Sequence, residues 1–220
     1  IASDGWSTSV FLDEFIRGYT AICEGRELDI EPLSIQYGDF AYWQRSWLQG
    51  ERYQSQIEYW KEQFKGAPAL LELPTDRPRP PVQTYNGDLV WGEISADLMN
   101  RINRLCQSEE ATLFMVALSA IQVLLSKYSR MDDIVIGTPI ANRVRPELEQ
   151  LIGFFVNTLA LRGYIDQEMS CVELLNATKE LTIDAYSHQD VPFEQLVDEL
   201  NPQRSMSHSP IFQVMFRLHN

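Results

Sequence analysis

The sequence predicts an α/β fold. Apolar residues recur at spacings of three and four through several long segments, short apolar or alternating runs of strand length lie between them, and the two kinds of segment alternate along the chain. With 220 residues, 45% hydrophobic and 11% aromatic, the composition supplies a sizeable core and is not that of a disordered chain. Eighteen Lys+Arg against 31 Asp+Glu leave a net charge of −13, which argues against non-specific nucleic-acid binding, because that needs a basic surface. The longest apolar stretches, around 113–125 and 151–161, fall short of a membrane span and are broken by Ser, Gln, Gly and Asn.

Each element follows from local pattern. After Asp4-Gly5, the spacing of Phe11, Phe15, Tyr19 and Ile22 predicts an amphipathic helix that stops at Gly25. Residues 28–35, with Pro32, read as a loop. From Tyr37 to Lys65, Trp, Tyr, Gln and Glu recur at helical spacing, and Gly50 is expected to break the run in two. Residues 66–87 hold Pro68, Pro74, Pro78, Pro80 and Pro81 and read as an extended linker. The expected organisation is therefore 1–65, a linker at 66–87, and 88–220. Asp88–Ile94 reads as a short strand, followed by a helix over about 96–106. Thr112–Tyr128 is apolar on nearly every face and reads as a buried central helix. Ile134-Val135-Ile136 reads as a buried strand ending at Gly137. In Phe154–Arg162, alternation puts Phe155, Asn157, Leu159 and Leu161 on one face. Ser170 and Glu173 form a capping-box pattern that starts a helix running to about Ser187. Phe193, Leu196, Val197 and Leu200 predict a shorter helix, and Ile211–Leu218 a closing strand.

Three scattered cysteines, Cys23, Cys106 and Cys171, read as reduced core thiols in a cytoplasmic protein. No metal-ligand spacing is present, and the only histidines are His188, His208 and His219. Neither GxGxxG, GxxxxGK[ST] nor GxSxG occurs, so dinucleotide, P-loop and nucleophile-elbow sites have no support. Opening on Ile1 without an initiator Met, the chain reads as a fragment of something longer.

No residue alone announces a reaction. Asp4 reads as the N-cap of the first helix or as the partner of an arginine, and a helix N-terminus accommodates both. Ser7 and Ser9 read as first-turn polar residues, since no histidine is near in sequence to activate them. Asn157, an amide on an apolar strand face, is either a structural bracket or a site residue. His188 reads as a C-terminal helix cap. Gln213 either faces outward or projects into a channel. Arg143, Arg145 and Arg162 are candidate partners for Asp4 or surface charges.

Taken together, five segments resemble the motifs of the condensation domain of nonribosomal peptide synthetases. Ser3-Asp4-Gly5-Trp6-Ser7 resembles the second half of HHxxxDG, and Tyr37–Trp43 resembles YxDxAxW. Ile152–Thr158 resembles IGxFVNT, His188–Glu194 resembles HxDxPFE, and Ser207–Val214 resembles RxSPLFQV, with His208 where arginine is usual. The run Leu73–Pro80 looks like the family's linker. The five motifs stand in family order across essentially the whole chain.

The resemblance implies a chloramphenicol-acetyltransferase-like fold of two lobes, with the active site in a tunnel between them. Family domains are about twice this length. The chain is thus expected to be the end of the first lobe plus most of the second, and the two motif histidines would precede Ile1. The implied reaction is amide-bond formation: an acceptor aminoacyl amine attacks a donor thioester carbonyl, with both substrates carried on phosphopantetheine arms of carrier proteins. No cofactor is expected to bind directly. Expected partners are the peptidyl or aminoacyl carrier proteins, the adjacent adenylation domain and the missing first lobe, with neither nucleic acid nor membrane. Asp4, Gly5, Trp6, Ser7, Arg143, Asn157 and Gln213 are expected to support the active site. Asp4 is expected to pair with Arg143 first and Arg162 second, and Gln213 to project toward the cavity. Trp6-Ser7-Thr8-Ser9 looks like ordinary condensation domains rather than epimerisation domains, and the motifs favour the type taking an L-configured donor. The competing reading is a non-catalytic docking module that binds carrier proteins. An acyl-CoA acetyltransferase of the same fold would lack the five motifs.

Overall fold

The computed structural model describes residues 2–28, 30–203 and 205–219. Asp29, from the expected first loop, lies outside them. The elements run α1 (Gly5–Cys23), α2 (Tyr37–Trp47), α3 (Gly50–Gln63), α4 (Ala96–Ser108), α5 (Leu113–Ser129), β1 (Asp133–Ile140), a 3-10 turn (Pro146–Leu148), β2 (Asn157–Tyr164), α6 (Cys171–Ser187), α7 (Phe193–Leu200) and β3 (Val214–Met215). The strands form a sheet in the order β2-β1-β3. β1 and β3 are parallel, with Ile136 opposite Val214 and Gly137 opposite Met215. None of the described helices alone is long and apolar enough to cross a membrane.

Helix starts obey local chemistry. Asp4 caps α1 by accepting the Ser7 N–H, Ser95 caps α4, and Thr112 caps α5. At α6 the Ser170 hydroxyl accepts the Glu173 N–H while the Glu173 carboxylate accepts the Ser170 N–H. The break between α2 and α3 falls at Gly50, whose φ of +60° is a left-handed conformation that costs glycine little.

Chain contacts divide the molecule into two compact units: Ile1–Ser55 with Pro139–Asn157, and Gln56–Thr138 with Thr158–Asn220. This differs from the expected boundary at 66–87. The cut falls inside α3, because Gln56, Ile57 and Trp60 are buried and two of them bind the 187–190 backbone of the second unit. Pro139–Asn157 belongs with the first unit, because its side chains build that unit's core.

In the first unit, Phe40, Leu148, Leu151 and Phe155 cluster with Ile35 and Trp43. Gly153 passes so close to Tyr37 that a Cβ there would lie 2.3 Å from Cδ2 of the ring. On α1, Ser7, Val10 and Ala21 are buried, whereas Phe11, Phe15, Tyr19 and Ile22 are exposed. The predicted apolar stripe exists, but no described residue covers it.

In the second unit, Val135, Ala160, Ile211 and Phe212 form a core against Phe64, Phe193, Val197 and Leu200. Gly137 admits the Phe212 ring, which a Cβ would meet at 2.4 Å. The buried face predicted for 154–162 is observed at Phe155, Asn157, Leu159 and Leu161, although β2 begins only at Asn157. α5 buries Met115, Leu118, Gln122 and Leu125 but exposes Leu124 and Tyr128.

Three expectations need correction. Residues 88–94 form no strand, and Val90 and Trp91 are 98% and 87% exposed. A strand requires a neighbour for its backbone groups, and no described strand pairs with this segment. The closing strand shrinks from 211–218 to Val214–Met215. Cys23 and Cys171 are exposed rather than core thiols, because they occupy the last residue of α1 and the first of α6.

Candidate functional site

The candidate site lies where the first turn of α1 meets the chain segments around Arg143 and Gly153, all within the first unit. Asp4 caps the helix through Oδ1, at 2.9 Å from the Ser7 N–H. Its other oxygen, Oδ2, accepts the Phe155 N–H at 3.0 Å. Arg143 Nη2 stands 3.3 Å from Asp4 Oδ1, and each of the two side chains is 1% exposed. Ser7 Oγ is the hub: it lies 2.8 Å from Asp4 Oδ1 and 2.8 Å from the Gly153 carbonyl. It also accepts the Gly153 N–H at 3.0 Å and Arg143 Nη2 at 2.9 Å.

Arg143 also donates Nη1 to the Leu148 carbonyl and, at 2.9 Å, to the Leu151 carbonyl. Its guanidinium lies 4.0 Å from the centroid of Phe155 and 5.8 Å from that of Trp6. Trp6 anchors the turn from outside, donating its indole N–H to the Glu149 carbonyl at 2.9 Å. A buried ion pair holds only where hydrogen bonds meet its other polar atoms. Here backbone and hydroxyl groups engage both carboxylate oxygens and both Arg143 Nη atoms, while Arg143 Nε has no hydrogen-bond partner among the described residues. Burial pushes the Asp4 carboxyl upward. The Ser7 and Phe155 N–H groups, the Ser7 hydroxyl and the Arg143 charge together outweigh it and hold the carboxyl below its ordinary value.

The structure thus brings together Asp4, Gly5, Trp6, Ser7 and Arg143. Arg143 is the partner of Asp4. Arg162, the second choice, instead forms a fork with Asp133 at 2.9 and 2.6 Å and donates to the Gln63 and Lys65 carbonyls. Arg145 lies over Trp43. Ser7, read from its own residues as a first-turn polar residue and grouped with the active-site support only through the family motif, is the residue whose hub role the sequence reading missed. The available signal was its position three residues after a helix-capping aspartate.

Asn157 is buried at 7% exposure as the first residue of β2. Gln213 is not left free to project into a cavity. Its Oε1 accepts the Leu71 N–H at 2.7 Å, and its Nε2 donates to the Ala69 and Ser209 carbonyls at 3.3 and 3.0 Å. The amide therefore clamps the start of the Pro-rich segment to the stretch before β3. His188 ends α6 as its C-cap. Its ring stacks on Tyr59 at 3.8 Å, and its carbonyl accepts the Trp60 indole N–H. Gln56 brackets the same loop through Ser187 and Asp190, so the His188–Glu194 segment is held by α3. Among the described residues no cluster of His, Cys, Asp and Glu could hold a metal.

The motifs and the fold around this node are those of a condensation-type domain. The family model for the condensation domain matches residues 1–220, and the chain belongs to that family. Over its whole length it is 52% identical to one of the linear gramicidin synthase proteins of Brevibacillus parabrevis, covering 4% of that protein. It is 50% identical to malpinin synthetase of Mortierella alpina, covering 3%, and 46% identical to malpibaldin synthetase of the same organism, covering 4%. The chain thus spans only a few per cent of these curated relatives. Among solved structures, it is similar to the X-domain from teicoplanin biosynthesis, at 30% identity and a TM-score of 0.88 over 97% of this chain and 49% of that one. It is likewise similar to holo-AB3403, a four-domain nonribosomal peptide synthetase bound to AMP and glycine, at 27% identity and 0.88 over 99% of this chain and 16% of that one. The fold is the chloramphenicol-acetyltransferase-like one.

Proposed function

We propose that this chain is part of a nonribosomal peptide synthetase condensation domain that joins a donor acyl thioester to an acceptor aminoacyl thioester. The amine nitrogen attacks the donor carbonyl carbon, a C–N bond forms, the C–S bond breaks, and the donor thiol leaves on its carrier's phosphopantetheine arm. One proton leaves the nitrogen and one reaches the sulfur. A thioester is already activated, so the catalyst's work is to juxtapose the two acyl groups, exclude water and manage that proton. The observation that carries this reading is the buried Asp4–Ser7–Arg143 node on the DGWS segment of the family's first motif.

In this reading the chain's own residues position rather than react. Asp4 and Arg143 fix the path of the backbone entering α1, and Ser7 ties that turn to the Gly153 peptide. The three histidines, at 188, 208 and 219, lie outside the node. A polypeptide limited to these 220 residues is therefore expected to form no amide. A complete domain carrying this sequence should do so when given carrier-bound thioesters, read as product mass.

A second reading has one observation in its favour. The solved relatives include an X-domain in complex with OxyB, at 30% identity and a TM-score of 0.88, so this fold also serves protein binding. Under that reading a complete domain binds carrier or partner proteins and yields no amide.

A further inference from the structure

The strongest unassigned feature is a strained turn just ahead of β3, wholly within the second unit. Ile211 has a φ of +69°, and the Phe212 N–H donates to the Pro210 carbonyl at 2.8 Å. A hydrogen bond that closes around a single residue of positive φ is a γ-turn of the rare, strained kind. A β-branched residue is poorly suited to that φ, because its Cβ substituents crowd the backbone. Yet Ile211 is buried, in the core with Val135, Ala160 and Phe212. Strain of this kind persists only where the surroundings over-determine it.

Two holds on the turn are visible. Phe212 fills the slot over Gly137 and packs against Phe193, with ring centroids 5.3 Å apart. The Gln213 amide straddles the turn, donating Nε2 back to the Ser209 carbonyl at 3.0 Å. The same amide grips the Pro-rich segment through the Ala69 carbonyl and the Leu71 N–H. A second tie lies further along, where the Gln83 N–H donates to the Met206 carbonyl at 2.8 Å. On its other side the turn runs directly into β3. That strand is only Val214 and Met215, followed by Phe216, whose N–H donates to the Gly137 carbonyl at 2.9 Å. Rotating Ile211 out of the left-handed region reorients the chain after it relative to Ser209. The Gln213–Ser209 hydrogen bond and the seat of Phe212 over Gly137 both depend on that orientation.

We propose that the Pro210–Phe212 turn is a sprung joint, held shut by the Gln213 amide, through which detachment of the Pro-rich segment releases β3 from β1. Shut, the joint keeps Ile211 left-handed, the amide on residues 69 and 71, and Val214 in register with Ile136. Open, Ile211 relaxes to extended backbone, and a ladder this short opens easily once its anchor moves. The two arrangements are discrete, because the left-handed and extended regions are separate allowed wells. A displacement of residues 69–71 is thereby transmitted to the edge of the sheet. The joint operates whether or not the domain forms amides.

The test is residue-resolved amide hydrogen exchange by NMR on the full chain. In the parent, Leu71 and Phe216 should exchange through one opening, with protection agreeing within about threefold and falling together in dilute denaturant. Gln213→Leu should speed Phe216 exchange about tenfold or more through loss of the clasp, while the amides of α5 keep parental rates. Adding Ile211→Leu, which conserves volume but removes the branch at Cβ, should slow Phe216 again about threefold or more. Adding Ile211→Gly instead, which accepts a positive φ freely, should act in the same direction. A core truncation with no strain to relieve acts in the opposite direction. Different denaturant dependences for Leu71 and Phe216 would overturn the proposal. So would Phe216 exchange that Gln213→Leu leaves unchanged, an acceleration shared equally by α5, or no slowing with either Ile211 replacement.

Discussion

Ser7 is a small residue with an unusual number of obligations. Its hydroxyl stands within 3.0 Å of an aspartate, an arginine, a peptide N–H and a peptide carbonyl. Ser7→Ala leaves the buried Gly153 N–H without an acceptor and should cost about 1–3 kcal/mol, read by chemical denaturation. Asp4→Asn removes the charge that compensates buried Arg143 and should cost about 3–5 kcal/mol. The same carboxyl sets a pH dependence. Its folded pKa lies below the ordinary 3.8, so its contribution is complete above that pH and is lost as the pH falls through the folded value. Acid titration of stability should therefore be steeper below about pH 4 in the parent than in Asp4→Asn. Parallel acid limbs would remove Asp4 from the account. Gln213→Leu strands the Leu71 N–H and should loosen the 66–73 segment toward proteases at a cost of about 1–3 kcal/mol. A change in acceptor preference with unchanged stability would return Gln213 to the substrate. The Asp4–Arg143 pairing was legible through the family motif. The Ser7 hub and the Gln213 clamp were not, because their partners are backbone groups more than a hundred residues away.

Elements whose causes are local were legible almost to the residue. The capping box at Ser170 and Glu173 places the start of α6 at Cys171, since both hydrogen bonds lie within one turn. Asp4, Thr112 and Gly50 act in the same way. Elements whose causes are distant were not. The run 88–94 reads as a short strand, yet it finds no described strand to pair with, and β3 is only as long as its pairing with β1. The junction between α2 and the 152–155 segment gives the prediction at this scale. Tyr37 donates its hydroxyl to the Phe154 carbonyl at 2.9 Å and packs edge-on against Phe155, so its ring cannot swing away freely. Gly153→Ala forces a methyl to 2.3 Å from that ring and should cost about 1–3 kcal/mol by overpacking. Pairing it with Tyr37→Leu, which vacates the space, should recover part of the loss. Additive losses would show that the ring is not the obstacle.

At the scale of the whole molecule, the sequence's five motifs divide between the two units. The first three lie in or mostly in the unit built on Phe40 and Phe155. The last two lie in the unit built on Val135 and Phe212. Asp4, Arg143 and Gly153 meet in the first unit although 139 or more residues separate Asp4 from the others, so the first and third motifs join at one node. The central claim is that this arrangement serves condensation. Its most direct test is amide formation between two carrier-bound thioesters by a complete, folded domain carrying this sequence, with Arg143→Ala as comparison. The parent domain is expected to form an amide product, and Arg143→Ala to do so at least tenfold more slowly, on the order of the 1.4 kcal/mol that a tenfold change represents. A folded parent domain that binds both loaded carriers and forms no amide would contradict it and leave the chain a binding module.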